Sequence, residues 1–261
     1  MSKSHRPIKS LGQNFLVDTR IQQKIVDACN LQPDDVVVEI GPGKGAITRR
    51  ILPLVQKLIA VEKDRHLASL LKEEIQQSQL EVIQGDFLKW DMNSLPDNLI
   101  IIGNIPYYIS TPIIEKILAH KDKIQRAFLT VQLEFGQRLA ACTGNKDYGS
   151  LSCFVQYHAD VKVLFKISPG SFHPQPRVHS CFVSLTMRPK PKVRAKDEQQ
   201  LFKLIQTAFT QRRKTIANAL KKFVGDEHVR PLLERLGINP QSRPEDLTLL
   251  NYIEISNSLM L

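Results

Sequence analysis

Short apolar runs alternate with helical stretches through residues 35–104 of the chain. Four of these runs contain successive apolar residues, as strands buried on both faces do, and they lie at 36–40, 58–61, 80–83 and 99–103. The stretches between them carry apolar residues at helical spacing, for example at 66–77. Strands that alternate with helices are typical of right-handed βαβ units, so we predict an α/β fold with a mostly parallel sheet.

The pattern changes after Gly149. Residues 161–167 and 181–187 are predicted strands, and the loop between them is too short for a crossover helix, so we expect an antiparallel hairpin at the sheet edge. Farther along, the periodicity is helical at 197–210, 213–223, 228–236 and 245–258. The basic segment 188–194, interrupted by prolines, separates the two patterns. We therefore predict two domains, 1–187 and a small, all-helical 188–261.

The net charge of the chain indicates what kind of partner it binds. The 261 residues include 36 Lys or Arg and 26 Asp or Glu, a net charge of +10 that favours a polyanionic partner, nucleic acid before membrane. Residues 188–225 hold 11 basic and 2 acidic residues, a net charge of +9. A solvated surface is the alternative interpretation of such a run. The residues of the C-terminal domain that we predict to contact nucleic acid are Arg212, Arg213, Lys214, Lys221 and Lys222.

Several classes of protein are disfavoured. The longest unbroken apolar run, 99–102, is far shorter than the ~18 residues that a membrane-spanning helix needs, and the N-terminus has no apolar signal core. The four cysteines form no CxxC pair, which disfavours a disulfide scaffold, structural zinc and export. The histidines lack metal-ligand spacing. We expect a cytoplasmic, monomeric protein that needs no metal.

A glycine loop follows the first strand of the α/β region. Gly41 and Gly43 allow a tight turn and the close approach of a ligand to the backbone. Glu62, at the end of the next strand, is placed to accept hydrogen bonds from both hydroxyls of a ribose. Asp86, after the third strand, could accept a hydrogen bond from an adenine amine, or could simply form a turn. NAD and S-adenosylmethionine both fit this pattern.

The residues after the fourth strand point to methyl transfer. Asn104, Ile105, Pro106 and Tyr107 resemble the (Asn/Asp/Ser)-Pro-Pro-(Tyr/Phe) signature of methyltransferases that modify amino groups. An adenine N6 is a poor nucleophile because its lone pair is delocalised into the ring. The Asn104 amide oxygen and the Ile105 carbonyl can each accept one N6 hydrogen and so favour the reactive, pyramidal nitrogen. Pro106 stiffens the turn, and Tyr107 offers a ring on which an extruded base can stack.

Further segments resemble the ribosomal RNA adenine dimethyltransferases, in order and spacing, over nearly the whole chain. They are 10–18, 39–45, 84–86, 104–108, 172–178 and 212–215. The resemblance is strongest to the small-subunit (16S) members, which dimethylate two adjacent adenosines near the 3′ end of the RNA. It implies a Rossmann-like S-adenosylmethionine-dependent methyltransferase sheet in the first domain, RNA binding in the second, and a small-subunit particle as partner. The residues that it places at the cofactor, with Gly43 of the glycine loop, are Asn14, Leu16, Gly41, Glu62, Asp86 and Asn104.

Phe172 and four departures from the family pattern concern the RNA. Phe172 lies in a loop flanked by prolines, where we expect it to face solvent and stack on a base. His179 and Cys181 stand where relatives commonly have Asp and Ala, while Leu133 and Gly136 replace a more usual Lys and Ala. All four lie outside the cofactor loops, so they bear on RNA contacts rather than on the reaction.

Three other functions remain open on the sequence. A nicotinamide oxidoreductase would use the same glycine loop and Glu62, but it leaves Asn104–Tyr107 and the basic tail unexplained. A non-catalytic RNA-binding assembly factor is possible because members of this superfamily have been recruited to such roles. A resistance-type methyltransferase acting on adenine N6 of 23S rRNA is the principal alternative.

Overall fold

Seven strands form one sheet, in the order β4-β3-β2-β5-β6-β9-β7, in a computed structural model that describes residues 12–188 and 190–259. Their bounds are β2 Val36–Ile40, β3 Lys57–Glu62, β4 Leu80–Gln84, β5 Leu99–Asn104, β6 Ile124–Gln132, β7 Ala159–Ile167 and β9 Ser180–Met187. A separate two-stranded sheet pairs β1 (Phe15–Leu16) with β8 (Phe172–His173).

The strands from β2 to β6 pair in parallel, as the alternating pattern predicts. Strand β9 then lies antiparallel between β6 and β7. The amide of Arg188 donates to the carbonyl of His158 at 2.8 Å, so the start of β7 lies beside the end of β9 and these two strands also run in opposite directions. The predicted mostly parallel sheet with an antiparallel edge is confirmed.

Helices cover the sheet, and aspartates begin two of them. Asp18 caps α1 (Thr19–Cys29), and Asp64 caps α3 (Arg65–Glu74), because each carboxylate accepts two free amides of the first helical turn. The apolar faces of both helices pack into the core. The remaining helices of this region are α2 (Thr48–Ile51), α4 (Ser110–Ala119) and α5 (Leu133–Ala140).

The chain divides into two compact units, residues 1–136 with 160–187 and residues 137–159 with 188–261. The second unit contains α6 (Ser150–His158), α7 (Glu198–Thr210), α8 (Ile216–Val224), α9 (Asp226–Arg235) and α10 (Leu249–Ser258). Residues 137–159 therefore group with the C-terminal helices rather than with the first 187 residues. The reason is apolar burial, because Tyr148 and Tyr157 share one core with Leu204 and Tyr252.

Two of the four departures from the family pattern are in contact inside the first unit. A Cβ placed on Gly136 would overlap the Sγ atom of Cys181, and both residues are buried. The amide of Leu133 also bonds to the carbonyl of His179 at 2.9 Å. Neither Gly136 nor Cys181 is exposed to a ligand, because a smaller residue on α5 makes room for a larger one on β9. Their volumes compensate each other. The effect of the departures on RNA contacts stays a prediction.

No helix within residues 12–188 and 190–259 is long and apolar enough to cross a membrane.

Candidate active site

A cavity of about 360 Å³ opens where β2, β3 and β5 end at their carboxyl edge. Open α/β sheets place their ligands at this edge. The structure brings every predicted cofactor-binding and catalytic residue to the wall of this cavity. They are Asn14, Leu16, Gly41, Gly43, Glu62, Asp86, Asn104, Ile105, Pro106 and Tyr107.

The glycine loop has a backbone that other residues rarely adopt. Gly41 and Gly43 have φ angles of +64° and +59°, in the left-handed region that favours glycine. A Cβ on Gly41 would meet no atom within 4 Å, so this part of the wall is open to a ligand. A Cβ on Gly43 would lie 3.0 Å from the Phe15 ring. The lack of a side chain at Gly43 therefore also lets residues 12–18, the N-terminal segment, pack against the glycine loop.

Glu62 is held by the backbone around it. Its two carboxylate oxygens accept the amides of Gly43 at 2.9 Å and of Asp64 at 2.8 Å. The side chain is only 6% exposed. Burial raises the pKa of Glu62, and the two amide hydrogen bonds oppose that rise. Each carboxylate oxygen has a second lone pair, so Glu62 can still accept a ligand hydroxyl.

Glu39 is a second buried carboxyl group, at the end of β2, whose role the sequence did not indicate. It accepts the hydroxyl of Thr48 at 2.7 Å and is 4% exposed. Burial raises its pKa to about 7, the Thr48 hydrogen bond lowers it, and the neighbouring charge of Glu62 raises it. Two carboxyl groups thus lie beneath the glycine loop, and a cationic ligand would relieve their repulsion.

Asp86 lies nearer to solvent than these two glutamates. It accepts Lys63 Nζ at 2.8 Å and the amide of Leu88 at 3.0 Å. The hydrogen bond from Lys63 is the principal reason that the pKa of Asp86 lies below its usual value. Asp86 is therefore an ionised acceptor at the cavity wall and also forms a turn, while its contact with an adenine amine stays a prediction.

The N-terminal segment orients Asn104. The side-chain amide nitrogen of Asn104 donates to the backbone carbonyl of Asn14 at 2.8 Å. This leaves Oδ1 of Asn104 as the atom of the amide that can accept a substrate hydrogen. The pairing of β1 with β8 holds this segment in place, with Leu16 opposite Phe172. Residues 10 and 11 of the N-terminal motif lie outside the described residues.

Two tyrosines follow Pro106 on one turn of 3₁₀ helix. The hydroxyl of Tyr107 shares a 2.6 Å hydrogen bond with Ser180 on β9, and burial raises the pKa of that phenol. Ser180 is fully buried and is a contact that sequence reasoning missed, because it lies 73 residues from Tyr107. Tyr108, in contrast, is 60% exposed, and Ile105 is buried.

Phe172 does not face solvent, so the expectation for this residue is wrong. It is 3% exposed and belongs to the apolar core with Leu16, Ile167 and Phe182. Because β8 pairs with β1, its side chain is directed into the core below the loop, and its ring presents no surface on which a base could stack.

The five predicted nucleic-acid-binding residues of the second unit fall into two groups. Arg212 bonds to the Glu245 carboxylate at 3.2 Å and to the Asn145 carbonyl at 3.5 Å, so it holds two loops together. Lys221 pairs with Asp226 at 2.6 Å on the exposed surface. Arg213, Lys214 and Lys222 are also exposed.

No group of three or more His, Cys, Asp or Glu side chains is placed to hold a metal ion in the described part of the chain.

Comparison with known proteins places this geometry in a family. The family model described as ribosomal RNA adenine dimethylase matches residues 4–260. A curated relative from Alkaliphilus metalliredigens, named ribosomal RNA small subunit methyltransferase A, is 40% identical over 96% of this chain and 91% of its own. A relative of the same name from Geobacter metallireducens is 39% identical over 98% of this chain and 96% of its own.

Solved structures agree on the fold. A dimethyladenosine transferase from Plasmodium falciparum superposes with a TM-score of 0.83 and 25% identity, and the match covers 92% of this chain and 95% of that one. The 23S rRNA methyltransferase ErmE superposes with a TM-score of 0.77 and 25% identity, over 95% of this chain and all of that one.

Proposed function

This chain belongs to the ribosomal RNA adenine dimethylase family, and we propose that it methylates two adjacent adenosines near the 3′ end of 16S rRNA at N6. The product would be two N6,N6-dimethyladenosines, formed while the small subunit is assembled in the cytoplasm. We further propose that the enzyme acts as a monomer on a small-subunit particle.

S-adenosylmethionine fits the cavity as the methyl donor. Glu62 would hold the ribose hydroxyls, Asp86 the adenine amine, and the backbone at Gly41 and Gly43 the amino-acid part. When bound, this group supplies a sulfonium-activated methyl. Its positive charge suits a wall that contains Glu39 and Glu62.

The single observation that carries the proposal is the hydrogen bond from Asn104 to Asn14. With the amide nitrogen engaged by the protein, Oδ1 and the Ile105 carbonyl are the two acceptors for the two hydrogens of an adenine N6. Acceptors fixed in advance favour the pyramidal nitrogen at little reorganisation cost. Tyr107, held by Ser180, offers a ring face to the extruded base.

Methylation of 23S rRNA is the second candidate, because ErmE shares the fold over the whole of its chain. Small-subunit RNA is favoured by the relatives in the 35–40% identity range, which carry the small-subunit name.

The test is primer extension on RNA from both ribosomal subunits after incubation with the protein and S-adenosylmethionine. Two methyl groups on N6 prevent Watson–Crick pairing, so we expect reverse transcriptase to stop at two adjacent adenosines near the 3′ end of 16S rRNA. A stop in 23S rRNA alone would establish the alternative target, and no stop in either RNA would refute the proposed activity.

Asn104→Ala tests the chemistry within the same assay. Loss of one preorganised acceptor lowers turnover by roughly 10²–10³-fold in comparable sites, whereas affinity for S-adenosylmethionine, measured by calorimetry, should change far less. Near-normal methylation by this variant would show that Asn104 does not hold the reacting amine.

A further inference from the structure

Tyr108 is the most exposed of the large hydrophobic side chains that the structure describes, at 60%. It lies on the rim of the cavity, directly after Tyr107. Burial of apolar surface contributes roughly 25 cal/mol per Å² to the free energy of folding, and an exposed ring does not gain this stabilisation. Three of the other four tyrosines are buried, namely Tyr148, Tyr157 and Tyr252. An exposed aromatic ring beside a ligand cavity is therefore a candidate binding surface for part of the substrate.

The surroundings of Tyr108 hold the ring at this rim. Its backbone belongs to the 3₁₀ turn Tyr107–Ile109, which begins after Pro106. Gly12 of the N-terminal segment packs against the ring, since a Cβ on Gly12 would lie 3.1 Å from Tyr108 Cε1. Gly12 also has a φ angle of +61°, so both its backbone and its lack of a side chain suit this contact. The exposed ring is thus positioned before any substrate arrives.

The neighbouring Tyr107 has a different environment. Its hydroxyl is fixed by Ser180, and its ring is partly buried in the wall of the cavity, so it suits the base that enters. The nucleotide next to that base remains joined to it by one phosphodiester and must stay at the cavity mouth, where Tyr108 lies.

We propose that Tyr108 is a stacking platform for the nucleotide adjacent to the adenosine being methylated. The inference rests on the proposed function, because it needs an RNA substrate with one base in the cavity. Stacking on an aromatic ring accepts any base, so Tyr108 would secure the adjacent nucleotide whichever of the two adenosines is being modified.

The experiment uses small-subunit particles whose 16S rRNA carries 2-aminopurine beside the target adenosine. Stacking quenches the fluorescence of 2-aminopurine, so the full-length protein should quench this reporter. Tyr108→Phe should retain the quenching and Tyr108→Ala should lose it. Leu54→Ala, which removes exposed apolar surface elsewhere in the same unit, is the matched control and should leave the quenching unchanged.

Kinetics provide a second measurement. Base–aromatic stacking contributes about 1–3 kcal/mol, so Tyr108→Ala should raise the KM for particles roughly 5- to 150-fold, with the Kd of S-adenosylmethionine unchanged. A matching loss of affinity for S-adenosylmethionine would instead make Tyr108 a cofactor contact and overturn the proposal. Quenching by Tyr108→Ala equal to that by the unaltered protein would also overturn it.

The two proposals fail in different ways. If the unaltered protein methylates neither subunit RNA, the proposed function fails. If it methylates 16S rRNA normally while Tyr108→Ala changes neither KM nor quenching, only the role of Tyr108 is refuted. A loss of particle binding by Tyr108→Ala without any quenching in the unaltered protein would point to a ribosomal-protein contact, which also refutes the stacking role.

Discussion

Glu39 is a residue whose protonation should be visible in the stability of the whole protein. Its pKa is near 4.5 in an unfolded chain, whereas burial raises it to about 7 in the native state. Below pH 4.5 the carboxyl group is neutral in both states, so folding meets no penalty there. As the pH rises from 4.5 to about 7, the unfolded chain loses this proton while the native state keeps it, and above pH 7 the native state must bury the charge. The free energy of unfolding therefore falls over this range.

Glu39→Gln should remove this pH dependence, because the amide oxygen can still accept the Thr48 hydroxyl but cannot ionise. From pH 5 to pH 8 the unaltered protein should lose about 2 kcal/mol more unfolding free energy than the variant. Urea unfolding at several pH values, without S-adenosylmethionine, measures it. Parallel pH profiles would show that Glu39 is not the titrating group.

Gly136 and Cys181 make a residue-scale prediction about packing. Gly136→Ala adds a methyl group against Cys181, and overpacking of this kind costs about 1–3 kcal/mol of unfolding free energy. In a Cys181→Ala background the same substitution should cost less, because Sγ has gone, Val183 Cγ1 at 3.0 Å is the tightest remaining contact, and Ala is the better helix former by roughly 1 kcal/mol. Additive effects in a double-mutant cycle would contradict this compensation.

At the scale of the element, Phe172 shows how strand pairing overrides a sequence-based expectation. The residue lies in a loop rich in proline, which suggested exposure, but β8 pairs with β1 and places the ring in the core. Only the fold brings together two strands of two residues each from positions more than 150 residues apart. No local pattern announces such a contact.

Phe172→Ala should therefore lower stability rather than remove a stacking partner. Truncating a core Phe costs about 3–5 kcal/mol of unfolding free energy. Val178→Ala, an exposed residue of the same loop, is the control and should cost little. Urea unfolding of both variants decides between the roles, since unchanged stability with impaired methylation would restore the stacking role of Phe172.

The strands differ in how far the sequence reveals them. β2, β3 and β5 are nearly continuous apolar runs and β4 is a shorter one, so the places of these strands and of the site at their ends could be predicted. β6 was not predicted, although residues 127–131 form a nearly continuous apolar run, and its first half carries the charged Arg126. In the structure Arg126 pairs with Asp35 at 3.7 Å and donates to the Cys29 carbonyl at 2.9 Å, partners that lie about 90 residues away. Periodicity cannot show that a distant carboxylate balances a charge within a strand.

For the whole molecule, the question is which unit holds the RNA. Condensed counterions leave the RNA when a cationic side chain contacts a phosphate, so the logarithm of the binding constant falls linearly with the logarithm of the salt concentration. Each lost contact makes this salt slope shallower by about 0.7 on a single strand or 0.9 on a duplex. Arg212 is a poor test residue, since its ion pair with Glu245 supports the fold. Arg213, Lys214 and Lys222 are the better choice because they are exposed.

We expect the triple Arg213, Lys214, Lys222→Ala variant to bind small-subunit particles more weakly and with a shallower salt slope. Phosphate contacts hold the substrate without touching the cofactor, so affinity for S-adenosylmethionine should not change. A second triple variant, Lys203, Arg230, Arg235→Ala, removes the same charge from other exposed positions of this unit and serves as the control. Equal slopes for the two variants would mean that net charge alone governs binding.

The grouping of residues 137–159 with the C-terminal helices has a consequence for the growing polypeptide. The ribosome completes α6 early, but the helices whose apolar faces cover Tyr148 and Tyr157 are synthesised only after Met187. A nascent chain must therefore carry an uncovered aromatic segment while the first unit closes around β9. In a fragment that ends at Met187, the aromatic side chains of residues 137–159 would stay exposed to solvent. Because each unit is built from two separate parts of the chain, no single cut yields two complete units.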